Sequence, residues 1–329
     1  MGTENKGDSL LSKGLKDMPK DLGYIASPIP LDVLKSELNK ERFVRITNKG
    51  GNEIYIVNHH NSPNVMKEIG RLREVTFATA GGGTGKPYDI DEFDVSENCY
   101  EQLIVWAPVA QEIIGGYRFI DCSKILDTRP LELSTGHYFK YSGKFIREYL
   151  PTTIELGRSW VQPNFQPTAG SRRGIFALDN LWDGLGAIVV DTPHIGYYSG
   201  KVTLYTNYNT EARDALMYFM DYFFEDKENL ISPIHSQDIT TDISDFKEAI
   251  EGLDYKQAHK ILNGYVRDRG ENIPPLINSY MSLSPTMKTF GTAMNPDFGD
   301  VEETMILVRI ADIYDEKKAR HVDTYVKNL

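Results

Sequence analysis

The chain has 329 residues, with 36 Lys and Arg against 47 Asp and Glu and a formal net charge of -11. That acidity argues against general nucleic-acid binding and against simple electrostatic adhesion to anionic lipid. The 40% hydrophobic and 25% charged content is ordinary for a globular protein, and the length suits one large domain or two small ones.

Cys99 and Cys122 have no CxxC spacing. A cytoplasmic, reducing location is expected, with no disulfide scaffold. No apolar run approaches a membrane span, and no basic-then-apolar signal pattern opens the chain.

Residues 1–22 are polar and read as a disordered or loosely docked arm. Pro28 and Pro30 precede a short helix over 31–38. Phe43–Thr47 and Glu53–Val57 read as a hairpin around Asn48-Lys49-Gly50-Gly51. Ser62-Pro63 is a helix start, an N-cap serine followed by proline at the first helical position. Met66, Ile69, Leu72 and Val75 form the apolar stripe of that helix. It breaks at Gly81-Gly82-Gly83. The Gly81–Lys86 stretch is not a phosphate loop: Ala80 holds the place of its first glycine, and Pro87 follows Lys86. A mobile glycine loop is expected there instead.

Asp89–Asp94 is an acidic cluster without calcium-loop spacing. No metal site is expected: His59 and His60 are adjacent, and His194 and His235 are isolated. Gln102–Trp106 and Glu112–Cys122 read as paired strands, the second carrying Gly115-Gly116-Tyr117-Arg118. Ser142–Tyr149 reads as a short helix, and Lys140, Lys144 and Arg147 form a local basic patch. After a Pro, Asn and Gln-rich loop, Ser171-Arg172-Arg173-Gly174 is expected to open a helix and offer an anion site, through free backbone N–H groups and two arginines. An ordinary helix start is the alternative. Tyr197–Tyr205 is strand-like, and Asn209-Thr210 caps a further helix. Residues 226–271 read as a polar helical insertion, and Thr304–Ile313 as the final strand.

The run Ile154-Glu155-Leu156-Gly157-Arg158-Ser159-Trp160-Val161 is the densest in chemistry. Strand alternation puts Glu155 and Gly157 on one face and Arg158 on the other. A bulge at the glycine brings Glu155 and Arg158 to one side. The alternative is a structural ion pair at a strand end.

Four pieces stand in fixed order: Arg73-x-x-x-Phe77, Asp91-x-x-Asp94, Gly115-x-x-Arg118 and Glu155-x-x-Arg158. This ordered set resembles the acyltransferase family of acyl-homoserine-lactone synthases and ornithine–acyl-carrier-protein N-acyltransferases, within the GNAT superfamily. Bacterial members often carry a hemolysin label. The resemblance covers roughly residues 40–225, and Pro274-Pro275-Leu276 is similar to an element near the family's C-terminus. It implies an α/β (α+β) fold, GNAT or autoinducer-synthase-like, with a central mixed twisted sheet flanked by helices. The expected layout is an arm and short helix at 1–40, an acyltransferase domain at 41–225 plus 272–329, and a helical insertion at 226–271.

The resemblance further implies transfer of a fatty acyl group from a phosphopantetheine thioester to the amine of an amino acid, giving an N-acyl amino acid lipid. The thioester arm would lie where the strand at 154–161 splays from that at 197–205. A backbone N–H within Ser159, Trp160 and Val161 would meet the thioester carbonyl. The arm's phosphate would sit on Ser171, Arg172, Arg173 and Gly174. Glu155 is either the base or the holder of Arg158 or Arg118. Asp91 and Asp94 either hold the amine or pair with Arg73. Arg118 and Arg158 bind the acceptor carboxylate, and Tyr218 or Tyr222 protonates the leaving thiolate. No cofactor is expected to be permanently bound. The expected partner is an acyl carrier protein rather than coenzyme A, because the stretch after Arg173-Gly174 lacks the second glycine of a coenzyme A turn. No nucleic-acid partner is expected, and membrane contact would be peripheral, through the lipid product. The alternative is a non-catalytic acyl-carrier or lipid-binding module on the same fold.

Overall fold

The computed structural model describes residues 22–128, 130–166 and 174–327. Most of the expected arm, and Ser171, Arg172 and Arg173, lie outside the described residues. The core is a mixed sheet of eight strands: β1 (Phe43–Ile46), β2 (Glu53–Val57), β3 (Glu101–Ala107), β4 (Glu112–Asp121), β6 (Thr153–Val161), β7 (Tyr197–Leu204), β9 (Lys288–Asn295) and β10 (Val301–Arg309). They run in the order β1-β2-β3-β4-β6-β7-β10-β9. β5 (Phe139–Tyr141) and β8 (Ile231–Pro233) form a separate two-stranded ribbon. Neighbouring strands of the large sheet are antiparallel except β6 and β7, which are parallel.

Strand alternation sorts the core onto two faces. Leu103, Val105, Leu156, Val202 and Ile306 point to the face covered by α4 (Ala177–Asp191) and α5 (Thr210–Phe224), against Leu181, Leu185, Leu216 and Phe219. Ile104, Trp106 and Trp160 point to the other face, against Val65, Met66, Ile69 and Leu72 of α2 (Pro63–Thr79).

Helix α2 starts where the sequence places it, but Ser62 does not cap it. Its hydroxyl makes no capping bond. The cap comes from α1 (Leu31–Glu37): the Glu37 carboxylate accepts from the backbone N–H groups of Asn64 (3.0 Å) and Val65 (2.8 Å). An anion at a helix N-terminus also complements the dipole. The glycine loop that follows is pinned. Glu74, fully buried, accepts from Thr84 N (2.9 Å), Gly85 N (2.9 Å) and the Tyr24 hydroxyl (2.8 Å). The protein's own carboxylate thus occupies the loop's amides.

Other expectations shift. Asp91 opens a four-residue helix, α3 (Glu92–Val95), in a capping box closed by Asp94. Phe145–Tyr149 is a single π-turn in place of an α-helix. Gly174 does not open a helix: α4 begins at Ala177, and Ile175 is exposed. A Cβ at Gly174 would overlap the Phe165 carbonyl, so the chain makes a tight turn there before winding. Residues 226–271 hold β8, α6 (Ser244–Ile250) and α7 (Tyr255–Asp268). Phe246, Ile250, Leu262 and Val266 of these helices share one core with α5. Two short helices follow, α8 (Pro275–Met281) and α9 (Asp315–His321). No described helix is long and apolar enough to cross a membrane.

Candidate active site

β6 and β7 pair only from Thr153↔Tyr197 to Leu156↔Gly200. Beyond that point the two strands part. On its other side β6 stays bound to β4, through a bulge: Gly116 pairs with Trp160 and Arg118 with Gly157, so Arg158 and Ser159 together oppose Tyr117. Arg158 sits at φ +45°, left-handed backbone that costs a non-glycine residue on the order of 1–3 kcal/mol. The bulge reverses the alternation. Arg158 joins Glu155 and Gly157 on the α2 face, where its guanidinium lies 4.4 Å from the centre of the Phe298 ring.

The gap between the parted strands is a cavity of about 660 Å³, within the ordinary range for small-ligand sites. It draws residues from both faces of the sheet. On the α2 face it meets Phe77, Arg118, Arg158, Lys201 and Glu303; on the α4 face it meets Phe165, Leu178, Leu276 and Ile277. One mouth is therefore charged and the other apolar. Gly157–Val161 lie along the wall, with the edge that faced β7 open to the gap.

Beside the charged mouth runs a buried chain of alternating charges. Arg73 Nη1 lies 3.0 Å from Asp94 Oδ2, which lies 3.4 Å from Arg118 Nη1. Arg118 Nη1 donates to both oxygens of Asp91 at 2.7 Å. Asp91 Oδ2 is 3.6 Å from Arg158 Nη2, and Arg158 Nε is 2.8 Å from Asp89 Oδ2. This last contact is an ion pair without an aligned hydrogen bond, since both Asp89 oxygens lack a hydrogen-bond donor. Three carboxylates and three guanidiniums balance, so the chain is neutral as a whole. Neutrality limits the desolvation cost that an isolated buried charge would carry. Burial alone would raise the Asp91 pKa, but Arg118 and Arg158 outweigh it and hold the carboxyl well below the usual range. Burial likewise opposes the Arg118 charge, and Asp91 and Asp94 overcome it, raising its pKa.

A depressed carboxyl contributes stability above its unfolded pKa of about 3.9, and the contribution disappears as pH falls through the lower folded value. The thermal midpoints of wild type and Asp91→Asn should therefore differ by a constant gap from neutral pH down to roughly pH 5, then converge on acidification. A gap that closes between pH 7 and about pH 5.5 would place the stabilisation elsewhere.

Glu155 is 1% exposed and does not line the cavity. Its carboxylate accepts from the hydroxyls of Tyr100 (2.6 Å), Ser134 (2.9 Å) and Thr135. Ser134 does line the cavity, and the Tyr100 ring lies 5.1 Å from the Arg118 guanidinium. Phe77, Arg118, Arg158, Ser159, Trp160, Val161 and Gly174 line the cavity; Arg73, Asp91, Asp94 and Glu155 stand behind it. Asp91 and Asp94 are taken up by guanidiniums and by their own helix start, so neither is free to hold an amine. Arg118 gives Nη1 to these carboxylates and keeps an Nε unpartnered among the described residues, so both Arg118 and Arg158 stand on the cavity wall, Arg158 on the bulge. Tyr218 and Tyr222 pack against each other on α5, away from the cavity. Lys140, Lys144 and Arg147 are not at its mouth either, and Lys144 is paired with Glu228 at 2.5 Å. Among the described residues no group of His, Cys, Asp or Glu is arranged to hold a metal. Lys201, Glu303, Ser134 and Phe298 were missed. Glu303 precedes the expected start of the last strand by one residue.

Residues 72–173 match the acetyltransferase (GNAT) domain family. A glycine N(alpha)-acyltransferase of Phocaeicola vulgatus is 50% identical over 310 residues, covering 92% of this chain and 94% of that protein. A glycine N(alpha)-acyltransferase of Bacteroides thetaiotaomicron is 48% identical over 306 residues, covering 92% and 91%. Among solved structures, a CoA-dependent acyl-homoserine lactone synthase, BjaI, with SAM and isopentyl-CoA, aligns with 82% of this chain and 89% of its own, at 12% identity and a TM-score of 0.36. The identity over nearly the whole length of two relatives shows that the chain is an acyltransferase and belongs to the glycine N(alpha)-acyltransferase family.

Proposed function

We propose that the protein transfers a fatty acyl group from a phosphopantetheine thioester to the amine of glycine, giving an N-acylglycine lipid. The observation that carries this reading is the parting of β6 from β7 beyond Leu156 and Gly200, with Arg158 swung into the gap by the bulge. Similarity to two glycine N(alpha)-acyltransferases and the chemistry of the charged mouth support glycine as the acceptor. A free amino acid brings a carboxylate, and a guanidinium is its best planar partner. The acyl chain takes the apolar mouth at Phe165, Leu178, Leu276 and Ile277. A backbone N–H within Ser159–Val161 receives the developing oxyanion, worth roughly 3 kcal/mol. Glu155, closed in by three hydroxyls, positions Ser134 and Tyr100 instead of touching the substrate.

The donor in this reading is an acyl carrier protein. Its support is the sequence Arg173-Gly174-Ile175-Phe176-Ala177, which lacks a second glycine for coenzyme A. Ser171, Arg172 and Arg173 would then meet the carrier's acidic surface and phosphate. We place the reaction in the cytoplasm, which fits two unpaired cysteines, Cys99 and Cys122. The amphiphilic product would leave through peripheral contact with a membrane.

Purified protein, glycine and a C16 donor on either carrier protein or coenzyme A decide this by mass spectrometry. N-acylglycine is expected from both, with higher kcat/KM for the carrier-bound donor. That advantage should fall about tenfold between 50 and 300 mM salt, because protein docking is screened and a small donor's binding less so. Absence of N-acylglycine from both donors would end the reading. A salt-independent preference for coenzyme A would end the carrier-protein part alone.

A further inference from the structure

The charged mouth holds a buried acid paired, among the described residues, to a single cation. Glu303 of β10 stands opposite Thr203 of β7 and is 3% exposed. It lines the cavity, on the same face as Arg158. Its partner is Lys201, also on the cavity wall, with Nζ 2.5 Å from Glu303 Oε2. That contact is not an aligned hydrogen bond, and Glu303 Oε2 has no hydrogen-bond donor. Glu155 is the contrast, buried as deeply but saturated by three hydroxyls and shut off from the gap. Lys201 balances the charge of this carboxylate, and its oxygens keep further lone pairs that a ligand N–H in the cavity is placed to use.

We propose that Glu303, held by Lys201, is the base that takes the proton from the acceptor amine. This rests on the reading of the protein as an amino-acid N-acyltransferase. An amino acid arrives as an ammonium, which has no lone pair to attack with. With Arg158 on its carboxylate, the ammonium faces the floor of the same mouth, where Glu303 lies. Glu303 accepts one proton and the amine's lone pair forms the C–N bond at the thioester carbon. The C–S bond then breaks, sulfur leaves with its electron pair, and the amide nitrogen loses its second proton. One of the two protons ends on the thiolate and the other passes to solvent, so amide, thiol and one proton balance thioester and ammonium. The charged and titratable groups around Glu303 are Lys201 on β7, Arg158 on the β6 bulge, and Tyr138, whose ring lies 4.7 Å from Lys201 Nζ and whose hydroxyl bonds Asp297 at 3.1 Å.

The test is Glu303→Gln, an isosteric change that keeps the cavity's shape, with Glu303→Asp beside it, each first checked for an unchanged thermal midpoint. With glycine near pH 7 the glutamine variant should turn over about 100-fold or more slowly, the usual worth of a positioned base. Its deficit should shrink as pH rises, because more of the glycine then arrives already deprotonated. The aspartate variant should regain part of the rate. Glu155→Gln should show a deficit that does not depend on pH. If Glu303→Gln stays within about threefold of wild type, or its deficit is equal at all pH values, Glu303 is not the base. If Glu155→Gln alone shows the pH-dependent recovery, the base is Glu155. If wild type itself forms no N-acylglycine, the underlying function fails and not the assignment of Glu303.

Discussion

Replacing Arg158 by alanine is expected to lower kcat/KM for glycine by roughly 30- to 3,000-fold, most of it in KM for the acceptor. Truncating one partner of a buried charge-assisted pair costs about 2–5 kcal/mol, and each 1.4 kcal/mol is tenfold. Arg158 has two kinds of partner to lose. One, on the proposed function, is the acceptor's carboxylate. The other is Asp89, whose side chain is 1% exposed and has no second cation within ion-pair distance among the described residues. Alanine leaves that carboxylate buried beside the gap, where it repels an anionic acceptor as well. Arg158→Lys keeps the charge but loses the planar fork, and an intermediate defect is expected. Steady-state kinetics with glycine varied at saturating donor separates the terms. An acceptor KM within about threefold of wild type for the alanine variant would remove Arg158 from acceptor binding.

The largest loss of stability should come from Asp94→Ala, at about 3–5 kcal/mol, the cost of leaving a buried charge unpaired. Asp94 is fully buried and touches Arg73, Arg118 and the Gln102 side-chain amide. Its loss leaves the charge chain with one positive charge in excess inside the protein. It also removes the carboxylate that closes the α3 capping box, a further cost of about 1 kcal/mol. Asp94→Asn keeps the shape but not the charge and should recover only the cap. Denaturant titration followed by tryptophan fluorescence measures both variants. A loss under about 1 kcal/mol would mean that the pair behaves like a surface ion pair.

The sheet was legible except for its edge strand β9, which was not expected, because the other strands alternate or run apolar, and the elements of the site came in order along the chain. Arg73, Asp91, Asp94, Arg118, Glu155 and Arg158 do converge, as the family resemblance implied. Their division of labour was not legible. Which carboxylate meets which guanidinium depends on α2 lying across β3, β4 and β6, and no local pattern encodes that crossing. The bulge was only an option in the sequence, since Gly157 permits it but the extra residue is Arg158, which pays in backbone strain. Glu303 was missed through a boundary error of three residues: the strand was read from Thr304, whereas pairing begins at Val301. The cap of α2 was illegible for a related reason, although Asn209 caps α5 as its residue type implies. Ser62 has the right residue type for a cap, yet the cap arrives from Glu37, 25 residues earlier in the chain.

Because the cleft passes right through the sheet, its two ends belong to different parts of the chain. The greasy end is walled by the loop at Phe165, by α4 and by α8; the ionic end by β7, β10 and the turn at Phe298. Tail length and head-group choice can therefore drift separately in evolution, since a substitution at Leu276 has no lever on Arg158. On the proposed function, a lineage of such enzymes is free to diversify its products along two independent axes.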